Sequence, residues 1–428
     1  MSSSAVVVGG GAVGLCVAEA LATRGVSVTV IERDRCGRAA SAGNAGWVTK
    51  SLSAPVPAPG VVRQSLHWLV DPSGPLWIRP TLSPPMLAWI ATFLRCCPRR
   101  VYLRGLAALQ EIAGRAPATF DRLADRGAEF ELHSQRLLFP AFSEHELGQL
   151  TSIADELVEV GSGASLQRLT RGELLELEGA ISERTIGGMV GSEDRRVRPE
   201  SFTAGVRARV EALGGSVVEQ TPVVSLRRSR TGWIVTGPTR EWHADTLVVA
   251  AGVATQELVR PFGVRLPIAT AKGYSRTFVQ APSGPSRSIY LEEPKVAVSV
   301  YDGGVRVSGT LELGSRELSL SQRRLRAITA AASTALPGWE MPADPADWAG
   351  MRPLSPDGLP YIGPVPGLDG FHVAAAHAML GVTLAPITGE LLGDLIAYDK
   401  RDPLLDAFDP GRRIGRPRAR SPAQPSGA

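Results

Sequence analysis

Cysteine is scarce in this sequence: its four copies, Cys16, Cys36, Cys96 and Cys97, form neither a CxxC pair nor a metal-ligand spacing. That excludes a disulfide framework and a cysteine-held metal, no metal is expected, and a reduced, cytoplasmic setting fits. Long apolar runs are missing as well. The most apolar later segment, Met86 to Cys97 (MLAWIATFLRCC), has only 12 residues and is interrupted by Arg95, too little to span a bilayer. It reads as a buried amphipathic helix, with a membrane-surface contact as the alternative. The opening MSSSAVVVGGGAVGL lacks a basic stretch, and glycines arrive where a signal peptide needs a helical segment, so it reads as the first strand of the fold. Charge of one sign is not in large excess either: 46 basic against 42 acidic residues give a formal +4. Part of that excess sits in the last stretch, GRRIGRPRARSPAQPSGA, with five arginines between Arg412 and Arg420. Its Pro, Ser and Gly content marks residues 411–428 as a disordered, solvated tail, and no nucleic-acid partner is expected.

What is present is an ordinary globular composition, 44% apolar and 21% charged over 428 residues, enough for a sizeable core and two domains. From Ala5 the chain reads strand (AVVVG), glycine turn, helix (Val13 to Arg24) and second strand (VSVTVIE), a compact βαβ unit. Ala39 to Pro85 carries so many prolines that a regular sheet is excluded there. Met86 to about Ile181 is helical in pattern, broken by a strand-like RLLFP. A helix after Pro199 leads to strands SVVEQTPVVSL, GWIVTG and DTLVVAAG. Leu266 to about Val307 alternates apolar and polar residues, as half-buried antiparallel strands do. A helix from Leu320 to Leu336 and a last glycine-rich α/β piece complete the chain, and no internal repeat is seen. Two interleaved domains follow: a nucleotide-binding layer from residues 1–85, 190–265 and 345–410, and a sheet-and-helix domain from 86–189 and 266–344.

The glycine turn supplies G-x-G-x-x-G at Gly9, Gly11 and Gly14. Gly9 makes the tight turn off the strand, Gly11 lets backbone approach a pyrophosphate, and Gly14 lets the helix pack close to the strand. The helix N-terminus offers free N–H groups to a diphosphate. Glu32 ends the second strand, where a carboxylate can accept hydrogen bonds from ribose hydroxyls. FAD and NAD remain equally open at this point. The apolar strand Asp245 to Thr255, ending in Ala251-Gly252, would return beneath either dinucleotide.

Four further strings carry a resemblance. They are Ser41-Ala42-Gly43-Asn44-Ala45-Gly46; Ala271-Lys272-Gly273-Tyr274-Ser275; the run from Gly350 to Gly363, GMRPLSPDGLPYIG; and Ala376-His377-Ala378-Met379-Leu380-Gly381-Val382-Thr383. With the βαβ unit they make the chain similar, over nearly its whole length, to the D-amino-acid dehydrogenase branch of the D-amino-acid oxidase, glycine oxidase and sarcosine oxidase family. Thr270 stands where that family has a proline, and Ala376, Ala378 and Met379 depart from the branch's G-H-G-T-L-G.

The resemblance implies an α/β fold in which a FAD-binding Rossmann-like domain of the glutathione-reductase type is interleaved with an antiparallel-sheet plus helix substrate domain. It also implies a flavoprotein oxidoreductase acting on a small amino acid, of the D-amino-acid or D-hydroxyproline/D-proline type. Hydride would pass from Cα to flavin N5, and the electrons onward to a quinone or another carrier. The alternatives are an O₂-using oxidase of the glycine/sarcosine type and a non-catalytic flavin-binding relay subunit. FAD is expected to be non-covalent, since no cysteine lies near the C-terminal motif. A peripheral contact at the inner face of the membrane stays open.

By the same resemblance, the cofactor falls to Gly9, Gly11, Ala12, Val13, Gly14, Glu32, Arg33, Ser41, Asn44, Ala45, Gly46, Val223, Ala251, Gly252, Leu380, Gly381, Val382 and Thr383. Arg352 would grip the substrate carboxylate, which suits a planar, bidentate guanidinium, although pairing with Asp357 is its structural alternative. His377 would touch substrate or flavin. Tyr274, ahead of Tyr290, would line the substrate pocket. His67 and Trp68 would cap that pocket or pack in the core.

Overall fold

The computed structural model describes residues 3–63, 65, 74–79, 83–163, 166–281, 283–315 and 317–415. The caps His67 and Trp68 lie outside the described residues, as does most of the tail.

Among the described residues the nucleotide-binding layer is a six-stranded sheet, in spatial order Ser216–Val218, Ser27–Ile31, Ser4–Val8, Thr246–Val249, Phe371–Ala375 and Tyr361–Pro364. The first five strands run parallel and the last is antiparallel. Strands Ser4–Val8 and Thr246–Val249 are continuous apolar runs because they are covered on both faces. On one face lie the helices Ala12–Thr23, Arg99–Asp125, Pro199–Ala212 and Ala385–Tyr398, which share one apolar core. On the other lies a small antiparallel sheet of Ser225–Arg228, Trp233–Thr236 and Glu241–Ala244, where Trp233 packs edge-on against Phe371 and Phe262. Each fully buried Val or Leu here contributes about 1.5–3 kcal/mol.

The second layer is a long sheet in the order Ala346–Leu354, Ala269–Val279, Gly304–Leu313, Val296–Tyr301, Ile289–Leu291, Leu138–Ala141, Gly187–Gly191 and Leu166–Thr170. One face is buried under the helix Gln322–Ala335. The opposite face looks across a cavity toward the nucleotide-binding layer.

Four expectations change. The strand Ala346–Leu354, expected with residues 345–410 in the nucleotide-binding layer, pairs into the second sheet, and the helix Arg99–Asp125, expected in the sheet-and-helix domain, packs in the core of the first layer. The proline-rich stretch does enter the sheet: Leu76–Ile78, between Pro75 and Pro80, pairs in parallel with Gly304–Leu313. Three residues fit because the prolines flank the paired positions instead of occupying them. The apolar segment 86–97 is the helix Pro84–Cys96, but it is not buried. Only Trp89 and Cys96 are, while Leu87 and Leu94 stand out in solvent. The tail does not loosen at residue 411. Arg412 is folded under the molecule, donating twice to Asp357 at 2.8 and 2.9 Å and once to the Leu359 carbonyl at 2.7 Å, with its guanidinium 4.2 Å from the Tyr361 ring centre.

Candidate active site

A cavity of about 1240 Å³ runs between the two layers. At one end lies the turn after strand Ser4–Val8. Gly9 has φ +113°, and a Cβ there would sit 2.4 Å from the Ala250 carbonyl oxygen. A Cβ on Gly14 would sit 1.9 Å from the Gly9 oxygen, so the helix Ala12–Thr23 can approach the strand only without it. Gly11 differs: its Cβ would point into open cavity, with only Ser41 Oγ nearby at 3.5 Å. A space that only a missing side chain keeps open, at a helix N-terminus, fits a pyrophosphate. Glu32 meanwhile accepts from the Gly10 amide at 2.6 Å and the Asp34 amide at 2.9 Å, which fixes the carboxylate beside the turn.

Nearly all residues expected at the cofactor line this cavity: Gly9, Gly11, Ala12, Val13, Glu32, Arg33, Ser41, Asn44, Ala45, Val223, Ala251, Gly252, Leu380, Gly381, Val382 and Thr383. Gly14 and Gly46 do not line it and act one step behind it. Gly46 has φ +69°, and a Cβ there would strike the Val197 carbonyl. The 41–48 loop is held from several directions. Arg306 donates to the carbonyls of Ala42 and Asn44 at 2.8 and 2.9 Å, Tyr301 to that of Ala45 at 2.7 Å, and Thr383 to that of Trp47 at 2.7 Å.

At the other end stands Arg352, half-buried in the cavity wall. Burial lowers its pKa to about 10, which still leaves it charged at neutral pH. Its one hydrogen bond donates from Nη1 to the Thr310 carbonyl at 2.8 Å. The acid that could have neutralised it, Asp357, is taken by Arg412. Among the described residues no carboxylate lies in ion-pair reach of Arg352, so a partly desolvated cation faces the cavity without a counter-charge, an arrangement that favours an anionic ligand.

Tyr274 is not in this cavity. Side chains alternate along a strand, and Gly273, paired with Gly350, takes the cavity-facing position. Tyr274 therefore points the other way, buried among Leu138, Leu325 and Ile328 beneath the helix Gln322–Ala335. Tyr290, ranked second from sequence, does line the cavity, edge-on to Trp47 with ring centroids 5.9 Å apart. His377 lines it too, with its Nε2 3.1 Å from Thr388 Oγ1, and burial holds the ring neutral, its pKa lowered to about 3. Its neighbours Ala376 and Ala378 adopt left-handed φ values of +61° and +51°, so the backbone keeps the shape that glycines would take at these two positions.

Sequence reading missed Trp348, Trp47 and the apolar wall around Trp89, Ile90 and Phe93. The alternation in the strand Ala346–Leu354 places Trp348 on the same face as Arg352 and was available as a signal. The apolar wall was not, since what the helix Pro84–Cys96 packs against depends on tertiary contacts that its sequence does not show.

A glycine turn at a helix start, a dinucleotide-sized cleft and a half-buried cation without a counter-charge define a dinucleotide-dependent oxidoreductase site. Residues 4–395 match the family of FAD-dependent oxidoreductases that includes the D-amino-acid oxidases, and the chain belongs to it. It is therefore a flavoprotein enzyme whose cofactor is FAD. It is 31% identical over 397 residues to a D-amino acid dehydrogenase of Rhodopseudomonas palustris, covering 89% of this chain and 90% of that one. It is 28% identical to a D-amino acid dehydrogenase of Vibrio atlanticus over 405 residues, 93% of this chain and 96% of that one. The fold is shared with glycine oxidase from Geobacillus kaustophilus, with a TM-score of 0.74 at 23% identity over 96% of this chain and 100% of that one. It is also shared with L-proline dehydrogenase from P. horikoshii, with a TM-score of 0.73 at 18% identity over 96% of this chain and 97% of that one.

Proposed function

We propose that this enzyme oxidises the Cα–N bond of a small amino acid, of the D-amino-acid or D-proline/D-hydroxyproline type, and passes the electrons to a quinone or another lipophilic carrier. The observation that carries the reading is Arg352: a half-buried, unneutralised guanidinium in the wall of the cofactor cavity suits a carboxylate, because two parallel N–H donors fix its direction as well as its charge. Bound FAD supplies the two-electron acceptor for the hydrogen leaving Cα. The protein's own work is positioning and water exclusion. Arg352 aims the substrate, and the apolar walls keep the amine in its neutral form. A relay subunit has no use for such a clamp. The names of the relatives support the D-configuration.

The choice of carrier rests on the mouth of the cavity. Val62, Leu94, Leu318 and Met379 line it and are 40–59% exposed, and Leu87 stands about two turns before Leu94 on the same helix. The stretch 61–104 around this helix carries Arg63, Arg79, Arg95, Arg99, Arg100 and Arg104 against a single acid, Asp71. An apolar patch on an arginine-rich stretch of the sequence suits the anionic inner face of a membrane. No helix of the described residues is long and apolar enough to cross one.

The test is anaerobic bleaching of the purified flavoprotein by D-, L- and N-methyl amino acids, then turnover with a soluble quinone and in air. Bleaching by small D-amino acids with quinone-dependent turnover is expected. No bleaching by any amino acid overturns the activity, and stoichiometric peroxide in air replaces the carrier with O₂.

A further inference from the structure

Arg352 has a companion on its own strand. Residues 348, 350 and 352 share one face of Ala346–Leu354, and Gly350 stands directly opposite Gly273 on the neighbouring strand. The guanidinium lies over Gly273: a Cβ there would meet Arg352 Nη1 at 2.1 Å and Cζ at 2.2 Å. The Trp348 indole lies over Gly350, where a Cβ would meet its Cη2 and Cζ2, each at 2.1 Å. Opposed positions of an antiparallel pair have Cβ sites about 5 Å apart, so the two flat groups are neighbours on a two-glycine floor. The same indole also abuts Gly43, where a Cβ would come within 1.9 Å of Cε3. Gly43 belongs to the cavity-lining loop that also carries Ser41 and Asn44. Trp348 is thus wedged between the carboxylate clamp and the loop beside the cofactor space, and it lines the cavity itself.

We infer that Trp348 determines specificity by filling the room next to the clamped carboxylate, so that the enzyme takes amino acids with small side chains. The inference rests on the proposed reading of Arg352 as that clamp. Three glycines, at 43, 273 and 350, give up their side chains to a tryptophan and an arginine. The indole can reach the floor only because Gly350 separates it from Arg352 along the strand, and only because Gly43 leaves the opposite loop bare. A flat, rigid ring held on two sides restricts volume more firmly than a flexible side chain does.

The test uses the FAD-loaded protein and two readouts. The first is equilibrium binding of acetate, benzoate and 2-naphthoate, followed by perturbation of the flavin spectrum. The second is the anaerobic bleaching rate with D-alanine and with D-phenylalanine. Trp348→Ala is expected to shift the benzoate-to-acetate affinity ratio, and the phenylalanine-to-alanine rate ratio, at least tenfold toward the larger ligand, with Trp348→Leu in between. Gly43→Ala forces the ring toward the clamp and shifts both ratios the other way. Flavin-replete Trp348→Ala with both ratios within threefold of wild type overturns the inference, and Trp348→Leu is read by the same criterion if the alanine variant does not accumulate. Wild-type protein that no amino acid bleaches fails the proposed activity instead, while the carboxylate series still reports on the ring.

Discussion

At the glycine end of the cavity the groups facing the ligand come from a short run of chain, Gly9 to Val13, with Glu32 after the next strand. At the Arg352 end they come from strands about forty and eighty residues apart, with loop 41–46 laid across them. The first end is backbone: amides at a helix start and a missing Cβ. The second is side chains on a floor, aimed by neighbours distant in sequence. The local end depends on the geometry of one short turn, so damage there should be total. The assembled end should fail by degrees.

Gly11→Val is the severest break. Its branched side chain would fill the open space before the helix N-terminus, and the variant should purify without FAD while keeping the far-ultraviolet circular dichroism of the wild type. Full flavin content in that variant would remove the phosphate-turn argument. Arg352→Met comes next. FAD should stay, and carboxylate binding should weaken by about 2–5 kcal/mol, the scale for removing one partner of a buried charge pair. Spectral titration with benzoate and the KM for the amino acid measure it. Wild-type titration curves would show that the guanidinium faces no anion.

The same contrast explains what could be read from sequence. The glycine turn and Glu32 were legible because their chemistry follows from local spacing, and the segment 380–383 through its resemblance to the family's motif; all of them except Gly14 line the cavity. Arg352 was legible through its motif, but its freedom from Asp357 was not. That depends on Arg412, 60 residues later in a segment that reads as tail. Tyr274 was misplaced because the side of a strand its residues face depends on register, and a single alternation step separates cavity from core. The bulge across from Gly273, where Thr310 takes φ +66° and the pairing shifts between Lys272 and Tyr274, has no reliable sequence signature.

A third break tests how dry the cofactor loop is. Burial lowers the pKa of His372 to about 4 and that of His377 to about 3, against an ordinary 6.5. As pH falls below 6.5 the unfolded chain takes up protons on both rings while the folded chain does not. Stability is therefore full above pH 6.5 and is lost as pH falls from 6.5 toward 4, by up to about 1.4 kcal/mol per pH unit for each ring. His377→Gln should flatten the fall of Tm between pH 6.5 and 4.5 relative to wild type. Parallel curves would mean that the ring is already protonated, or wet, in the folded protein.

The mildest break acts on the aim of Arg352 and leaves the group itself in place. Two neighbours hold the guanidinium: the flat floor at Gly273 and the Thr310 carbonyl, which the left-handed bulge turns toward Nη1. In Gly273→Ala the new methyl would overlap Nη1, Cζ and Nη2, each within 2.3 Å, so the guanidinium must lift off the sheet. Its charge and hydrogen-bonding capacity survive, and only direction is lost. A misplacement of about 1 Å costs up to about a hundredfold in rate, so kcat should fall by roughly ten- to a hundredfold while benzoate affinity falls less than in Arg352→Met. Ser275→Ala, a buried position two residues along on the same face of that strand, separates loss of aim from loss of the strand. If Gly273→Ala kept the wild-type kcat, the arginine would be reaching its ligand from many directions, and the assembled end of the cavity would owe less to its floor than the geometry indicates.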